Sequence, residues 1–225
     1  MKIGFIGAGN MARSMGIVWA ELGHEVFFGS RDPAKGVRLA AFAGHGSLGG
    51  SNDEAVAFGE VVFFTVREQV PSEMLESVTP LAGKVLVDIN NRVLPSDFAM
   101  GALIGESLAE KTAADVPEAR VVKGYNTMAQ EIFEHPPEIL RQQGVSAFLC
   151  SDDEEAKGIV AGLAHEHGLI AVDCGGLRAA RMVEALGDFI RYMMRGADYG
   201  LFATINFRTI PAPAEERLGG RGLQL

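Results

Sequence analysis

A glycine-rich turn follows the first strand of the chain, and this feature constrains the fold more than any other. Residues 2–6 form a short apolar run typical of a β-strand, and residues 10–22 carry apolar side chains at helical spacing. Between them, Gly7-Ala8-Gly9-Asn10-Met11-Ala12 matches the pattern G-x-G-x-x-G/A. Such a turn between a strand and a helix predicts a Rossmann-type βαβ unit, whose helix N-terminus binds the pyrophosphate of a dinucleotide.

Each position of this turn has a physical reason. Gly7 permits the tight turn, Gly9 lets the backbone approach a pyrophosphate, and Ala12 lets the helix pack closely on the sheet. The alternative, a glycine turn without a ligand, is disfavoured by the strand and helix patterns on either side. We therefore predict that the cofactor contacts Gly7, Ala8, Gly9, Asn10 and Met11.

The end of the second strand distinguishes the two nicotinamide cofactors. An acid at this tip binds the free ribose 2′-hydroxyl of NAD and repels the 2′-phosphate of NADP. Here residues 25–28 form the strand and Gly29-Ser30-Arg31 follows, without an acid; Ser30, Arg31 and Lys35 are suited to a phosphate. Asp32 precedes a proline and is expected to cap the next helix. We predict that the cofactor is NADP(H). The alternative is that Arg31 is an ordinary surface charge that contacts no phosphate.

Strand and helix patterns alternate along the rest of the chain. Further strands are predicted at residues 61–66, 84–89, 120–125, 145–150 and 169–172, with helices from Pro71, near residues 100–115 and at residues 177–195. The expected fold is α/β: a Rossmann-like, doubly wound, mainly parallel sheet with a small C-terminal α/β extension. We predict one domain over residues 1–207, in which the extension begins at about residue 145 and continues the same sheet, and an irregular tail over residues 208–225.

Composition limits the partners of the chain. A net charge of −9 on 225 residues argues against nucleic acid, and no apolar run reaches the ~18 residues that a membrane helix needs. The two cysteines have no Cys-x-x-Cys spacing. His165 and His167 are expected to be surface residues that point to different faces of a helix, so no metal site is predicted. We expect a cytoplasmic location and a small-molecule or cofactor substrate.

Several segments resemble those of the coenzyme F420-dependent NADP oxidoreductase family, which includes the NADPH-binding module of STEAP-type metalloreductases. Residues 1–10, Gly23-His24-Glu25-Val26 and Gly29-Ser30-Arg31 carry the resemblance in the first half. Residues 121–127, VVKGYNT, are similar to the family's V-V-K-A-[FY]-N-T, and residues 173–181, DCGGLRAAR, to its D-x-G-x-L-x-x-A-R. The resemblance extends to about residue 195.

This resemblance implies a protein, commonly dimeric, that binds NADPH along the C-terminal edge of its sheet and passes hydride to a deazaflavin of the coenzyme F420 type. The family's NADP-binding positions carry over onto Lys35, Thr65 with Val66, and Asn91, besides the residues above. Two segments differ from the family: Arg67-Glu68 replaces a usual Pro or Trp, and Asn90-Asn91-Arg92 replaces T-N-P. These differences motivate a second hypothesis, an NADPH-dependent reductase of a small imine or carbonyl.

No catalytic residue is assigned from the sequence. Hydride transfer between two cofactors needs little from the protein beyond alignment, whereas a carbonyl or imine calls for a proton donor. The candidates near the predicted site are Asn91, Asn126, Thr127 and His135, with a loop role as the alternative for His135. Since none is an obvious proton donor, a third hypothesis is a non-catalytic module that senses NADP(H). A homodimer is expected.

Overall fold

The structure is a computed structural model that describes residues 1–93 and 104–211. Six parallel strands form the main sheet in the order β3-β2-β1-β4-β5-β6, and two more form a small parallel sheet, β7-β8. The strands are β1 (Lys2–Ile6), β2 (Glu25–Ser30), β3 (Leu48–Ser51), β4 (Val61–Phe64), β5 (Val85–Asp88), β6 (Arg120–Lys123), β7 (Ser146–Leu149) and β8 (Ile170–Asp173). The helices are α1 (Asn10–Glu21), α2 (Pro33–Ala43), α3 (Asn52–Phe58), α4 (Leu108–Asp115), α5 (Pro137–Gln143), α6 (Glu154–Glu166) and α7 (Ala180–Arg195).

Helices cover both faces of the main sheet because successive side chains of its buried strands point to opposite sides. In β4, Val61 and Phe63 pack in one core with side chains from α1, α2 and α6. Val62 and Phe64 pack in a second core with side chains from α3, α4 and α7. The predicted fold class, a doubly wound and mainly parallel α/β sheet, is confirmed.

Edge strand β3 was not predicted, and glycine explains why. Its sequence, Leu-Gly-Gly-Ser, lacks the apolar alternation that marks a strand. A side chain at Gly49 would meet the carbonyl oxygen of Gly36 at 2.2 Å, and one at Gly36 would meet that of Gly50 at 2.7 Å. The glycines thus permit backbone contact between α2 and β3, a requirement of packing that the strand pattern does not reveal.

Two other predictions are wrong. Pro71 opens only a short 3-10 turn, Pro71–Glu73, rather than a helix. The extension does not continue the main sheet: β7 and β8 pair with each other, and a single antiparallel bridge between Lys123 and Cys150 joins them to the end of β6. The predicted helix near residues 100–115 is α4 in its second part, and residues 100–103 lie outside the described residues.

The C-terminal part is irregular as far as it is described. Residues 196–211 form no helix or strand, although Asn206 Nδ2 donates to the carbonyl of Gln143 at 2.8 Å and Phe207 N donates to Ser146 Oγ at 3.0 Å. Residues 212–225 of the predicted tail lie outside the described residues. In the two described ranges, no helix combines the length and the apolar character needed to span a membrane.

Candidate dinucleotide-binding cleft

The glycine turn has the backbone geometry that its sequence predicts. Gly7 has a φ of +102°, which side chains other than glycine rarely adopt, and a Cβ there would lie 2.7 Å from Val66 Cγ2 and 2.8 Å from Thr65 Oγ1. The Thr65 hydroxyl lies 3.0 Å from the carbonyl oxygen of Ile6 and 2.9 Å from that of Gly7. Thr65 and Val66, predicted as cofactor contacts, therefore also fix the shape of the turn.

The N-terminus of α1 is open to a ligand. Gly9 is the N-cap residue, no side chain caps the helix, and its first turn contains no acid. A Cβ built on Gly9 would have no atom within 4 Å, so the space above the turn is free. Unpaired N–H groups facing open space suit a pyrophosphate, and the residues present thus fit the dinucleotide that the motif predicts.

Two cavities lie at this helix N-terminus, and Asn10 lines both. The smaller, of about 270 Å³, is lined by Ala8, Gly9, Asn10, Arg13, Lys35, Arg38 and Leu39. The larger, of about 510 Å³, is hereafter the cleft; it lies across the carboxyl ends of β4, β5 and β6 and reaches α7. Its volume is within the range of small-molecule sites, and the carboxyl edge of an open α/β sheet is where ligands bind.

The tip of β2 carries two of the predicted phosphate contacts, Ser30 and Arg31, neither of which lines the smaller cavity; the third, Lys35, does. Ser30 is buried, and its hydroxyl accepts from the backbone N of Asp32 at 3.3 Å. Arg31 is exposed and makes no hydrogen bond or ion pair within the described residues. The Asp32 carboxylate accepts from Ala34 N at 3.1 Å as the N-cap of α2, which confirms the expected capping role.

Two cations of the smaller cavity were missed by sequence reasoning. Arg13 lies one turn after Asn10 on α1, so the i, i+3 spacing from the glycine motif could have identified it. Arg38 lies one turn after Lys35 on α2 and makes an exposed ion pair of 3.4 Å with Asp32. Together with Lys35, they give the smaller cavity a positive lining.

Two asparagines form the back of the cleft, at the ends of β5 and β6. Asn91 Nδ2 donates to the carbonyl of Asn126 at 2.6 Å, and Asn126 Nδ2 donates to Asn91 Oδ1 and to the carbonyl of Val183, each at 2.9 Å. Asn126 Oδ1 is buried without a partner among the described residues. Tyr125, just before it, has a φ of +57°, a strained conformation that turns the chain at the end of β6.

The four candidate catalytic residues do not all meet in one place. Asn91 and Asn126 line the cleft, whereas Thr127 is buried and does not line it, and its hydroxyl has no described partner. His135 is exposed, packs edge-on against Phe202 at 5.3 Å and is not among the lining residues. The loop role weighed for His135 is therefore the one that agrees with its position.

A buried charge cluster lies beneath the asparagines. Lys123 Nζ lies 3.0 Å from Asp88 Oδ1 and 2.9 Å from Glu184 Oε1, and it donates to the carbonyl of Asn90. The three ionic side chains are almost completely buried. Asp88 Oδ1 also accepts from Asn90 N at 2.8 Å. The cluster thus holds both polar backbone groups of Asn90, the residue that leads into Asn91 at the cleft wall.

His167 corrects the prediction of a surface histidine. Its side chain is buried, stacks on Trp19 with a centroid distance of 4.1 Å, and its Nε2 lies 3.2 Å from the carbonyl oxygen of Met15. Burial lowers the pKa of His167 to about 3. His165, two residues earlier, is exposed as predicted. No group of three or more metal-binding side chains is found within residues 1–93 and 104–211.

Comparison with known proteins identifies the family. A family model described as NADP oxidoreductase, coenzyme F420-dependent, matches residues 2–92. The F420-dependent NADP reductase of Methanothermobacter thermautotrophicus is 30% identical in an alignment of 205 positions, which covers 83% of this chain and 86% of that protein. The chain belongs to the coenzyme F420-dependent NADP oxidoreductase family. The family and the NADP-dependent oxidoreductase class that the sequence predicts are thereby confirmed at the level of the family.

Other proteins that are similar to this chain differ in length and in name. A crystal structure from Arthrobacter sp. FB24, described as a candidate F420-dependent NADP reductase, has a TM-score of 0.77 and 29% identity and covers 93% of this chain and 100% of that chain. Metalloreductase STEAP3 of Rattus norvegicus is 31% identical over 82% of this chain, but the chain spans only 36% of that protein. A Bacillus cereus imine reductase, at 21% identity and a TM-score of 0.59, shows the fold alone.

Proposed function

We propose that this protein is an NADP(H)-dependent oxidoreductase that transfers hydride between NADPH and a deazaflavin acceptor of the coenzyme F420 type. The observation that carries the proposal is the pair of cavities that share Asn10 in their linings. One is lined by three cations that suit a 2′-phosphate, Arg13, Lys35 and Arg38, and the other is a cleft large enough for a nicotinamide and an acceptor. The open helix N-terminus at Asn10 suits the pyrophosphate.

The residues proposed to hold NADP(H) divide into three groups. The glycine turn, Gly7 to Met11, is proposed to bind the pyrophosphate through backbone N–H groups. Ser30, Arg31 and Lys35, joined by Arg13, are proposed to bind the 2′-phosphate. At the other end, Asn91 and the turn around Thr65 and Val66 are proposed to border the nicotinamide.

Hydride transfer between two cofactors depends more on how the two rings are aligned than on acid–base groups of the protein. Bound NADPH would supply a hydride from its nicotinamide to the ring of a deazaflavin, and solvent would supply the proton that completes the reduction. Asn91 and Asn126 hold each other and present fixed amides to the cleft. Burial raises the pKa of Tyr125 well above its ordinary value, so its phenol is a poor proton donor. The described lining otherwise contains arginines and Glu131 as titratable groups.

Steady-state oxidation of NADPH with a deazaflavin acceptor tests the proposal. We expect turnover with coenzyme F420 or 5-deazariboflavin, and much weaker turnover when NADH replaces NADPH. A panel of imines and carbonyls, followed by the loss of NADPH absorbance, tests the alternative reductase. Tight NADPH binding without turnover of any acceptor would support the sensing module and overturn the enzyme proposal.

The assembly and location are also proposals. A homodimer is supported by exposed apolar side chains on α7, Met182 and Phe189, which lie seven residues apart and hence on one face of the helix. A cytoplasmic location is supported by Cys150 and Cys174, which are both free thiols.

A further inference from the structure

The two cysteines of the chain adjoin each other where β7 and β8 end. In this parallel pair Leu149 is opposite Asp173, so Cys150 and Cys174 are the next pair in register. The backbone N of Cys174 donates to the carbonyl of Leu149 at 2.8 Å, which keeps the two segments together at this point. Side chains at one register position leave neighbouring strands on the same face, and both cysteines pack in the same apolar cluster. Two thiols far apart in the sequence thus lie side by side.

The two thiols are also hydrogen-bonded to each other. The hydrogen bond to Cys174 and burial raise the pKa of Cys150, whereas the same hydrogen bond lowers the pKa of Cys174. A disulfide joins Cα atoms about 4.4–6.8 Å apart, and neighbouring strands of a sheet lie about 4.8 Å apart. A bond between these two sulfurs therefore needs little movement of the backbone.

The two cysteines differ in how easily a reagent reaches them. Cys150 is buried, whereas Cys174 is half-buried. Lys157 Nζ lies 2.8 Å from Asp173 Oδ1, and its positive charge favours the thiolate forms of both cysteines, against the opposing effect of Asp173 on Cys174. Since the thiolate is the reactive form of cysteine, Cys174 is suited to attack an oxidant and Cys150 to attack the product.

We propose that Cys150 and Cys174 form a modification site that a hydroperoxide oxidises to a disulfide and that a dithiol reduces again. The Cys174 thiolate attacks one peroxide oxygen, the O–O bond breaks, and the other oxygen leaves and takes a proton to become water or an alcohol. The Cys150 sulfur then attacks the resulting sulfenic acid, the S–O bond breaks, and water leaves with the proton of Cys150. Two electrons pass from the sulfurs to the peroxide, so two thiols and hydrogen peroxide give one disulfide and two waters.

This site is separate from the cleft. Neither cysteine is in the described lining of either cavity, so the inference goes beyond the proposed function and does not depend on the hydride acceptor. A reversible disulfide agrees with the proposed cytoplasmic location, because disulfides in a reducing compartment are usually transient.

Peptide mapping of the oxidised full chain tests the site. Trypsin cleaves after Arg141, Lys157 and Arg178, which places the cysteines in peptides 142–157 and 158–178, both free of methionine. The reduced protein is treated with a few equivalents of hydrogen peroxide, denatured, alkylated and digested. We expect the two peptides to be joined, with a mass two hydrogens below their sum, and dithiothreitol before alkylation should release both. Two alkylated peptides, or extra oxygen on Cys174 in place of the cross-link, overturn the proposal.

A denaturing gel without reductant shows whether the bond forms within one chain. We expect the oxidised protein to run at the mass of a single chain, because the two sulfurs are already in contact. A disulfide-linked dimer would show that the cysteines pair between molecules and would overturn the proposed pairing.

Variants with one cysteine test the order of attack. In Cys150→Ala, which keeps the buried position apolar, peroxide should give a sulfenic acid on Cys174 that dimedone captures, and the wild type should give little of this adduct. In Cys174→Ser we expect Cys150 to form the adduct at least about tenfold more slowly, because it is buried. Far-UV circular dichroism checks that both variants fold, and the peptide mapping of the wild type depends on neither. Equal rates for the two cysteines would overturn the assignment of Cys174 as the attacking residue.

Discussion

Arg31, proposed to contact the 2′-phosphate, lies at the tip of β2 beside Asp32, an acid whose side chain already has partners. The Asp32 carboxylate caps α2 and pairs with Arg38, so it already has two hydrogen-bond partners. Arg31 itself has no partner within the described residues and stays available to a phosphate. The capping hydrogen bond of Asp32, which the sequence predicts, agrees with NADP(H) as the cofactor.

Arg31→Ala is therefore expected to weaken NADPH binding by roughly tenfold to a hundredfold, because a charge-assisted hydrogen bond contributes about 1.5–3 kcal/mol. The dissociation constant of NADH should change by less than about twofold, since that cofactor lacks the 2′-phosphate. Fluorescence titration measures both, with Arg178→Ala as the control for removal of an exposed arginine. Equal losses for the two cofactors would contradict a phosphate contact.

His167 makes stability depend on pH through a group buried in its neutral form. The folded protein protonates it near pH 3, whereas the unfolded chain does so near 6.5. Between these values the unfolded state binds more protons, so the free energy of unfolding falls as the pH falls, by up to about 1.4 kcal/mol per pH unit from this group. Stability from a neutral His167 is complete above about pH 6.5.

His167→Phe should flatten this pH dependence while keeping a ring stacked on Trp19. Urea unfolding at several pH values between 7.5 and 4.5 is expected to show a smaller decline for the variant than for the wild type. His165→Gln removes an exposed histidine two residues away and should keep the wild-type slope. Parallel curves for His167→Phe and the wild type would show that the buried ring does not titrate as inferred.

At the scale of elements, contact between α2 and β3 depends on glycine. The Cβ of an alanine at position 36 would lie 2.4 Å from the carbonyl oxygen of Phe28 and 2.9 Å from the backbone N of Gly50. These are backbone atoms of two strands, so they cannot move aside as a flexible side chain would. The helix must shift instead, and with it Lys35 at the smaller cavity.

Gly36→Ala is accordingly expected to lower the free energy of unfolding by about 1–3 kcal/mol and to weaken NADPH binding. Gly158→Ala, at an exposed position of α6 with no atom within 4 Å of a built Cβ, should raise stability by about 0.5–1 kcal/mol. Urea unfolding measures both variants. A gain of stability in Gly36→Ala would contradict the close approach of α2 to the strand.

At the scale of the whole molecule, α7 connects three roles. Its buried Glu184 completes the charge cluster with Lys123, its Asp188 holds two cleft arginines, and its opposite face exposes Met182 and Phe189. One helix thus supports the sheet, lines the cleft and offers an apolar surface. The proposed homodimer would cover that surface.

The double variant Met182→Glu, Phe189→Glu is expected to convert the dimer to a monomer, because charged side chains cannot be buried unpaired in an interface. Size-exclusion chromatography with light scattering gives the mass of each species. Phe42→Glu changes an exposed apolar residue on α2 and serves as the control. A wild-type protein of monomer mass at micromolar concentration would contradict the dimer.

The sequence by itself determined the first βαβ unit, most buried strands and the cofactor class. These depend on local patterns, such as a glycine turn between strand and helix or the absence of an acid after β2, and local patterns can be read residue by residue. Only the tertiary structure decided that β3 forms an edge strand, that His167 is buried and that His135 lies outside the cleft. It also brought Arg67 and Arg191 into the lining of one cleft, because proximity between residues more than a hundred positions apart follows from packing and leaves no periodic signal in the chain.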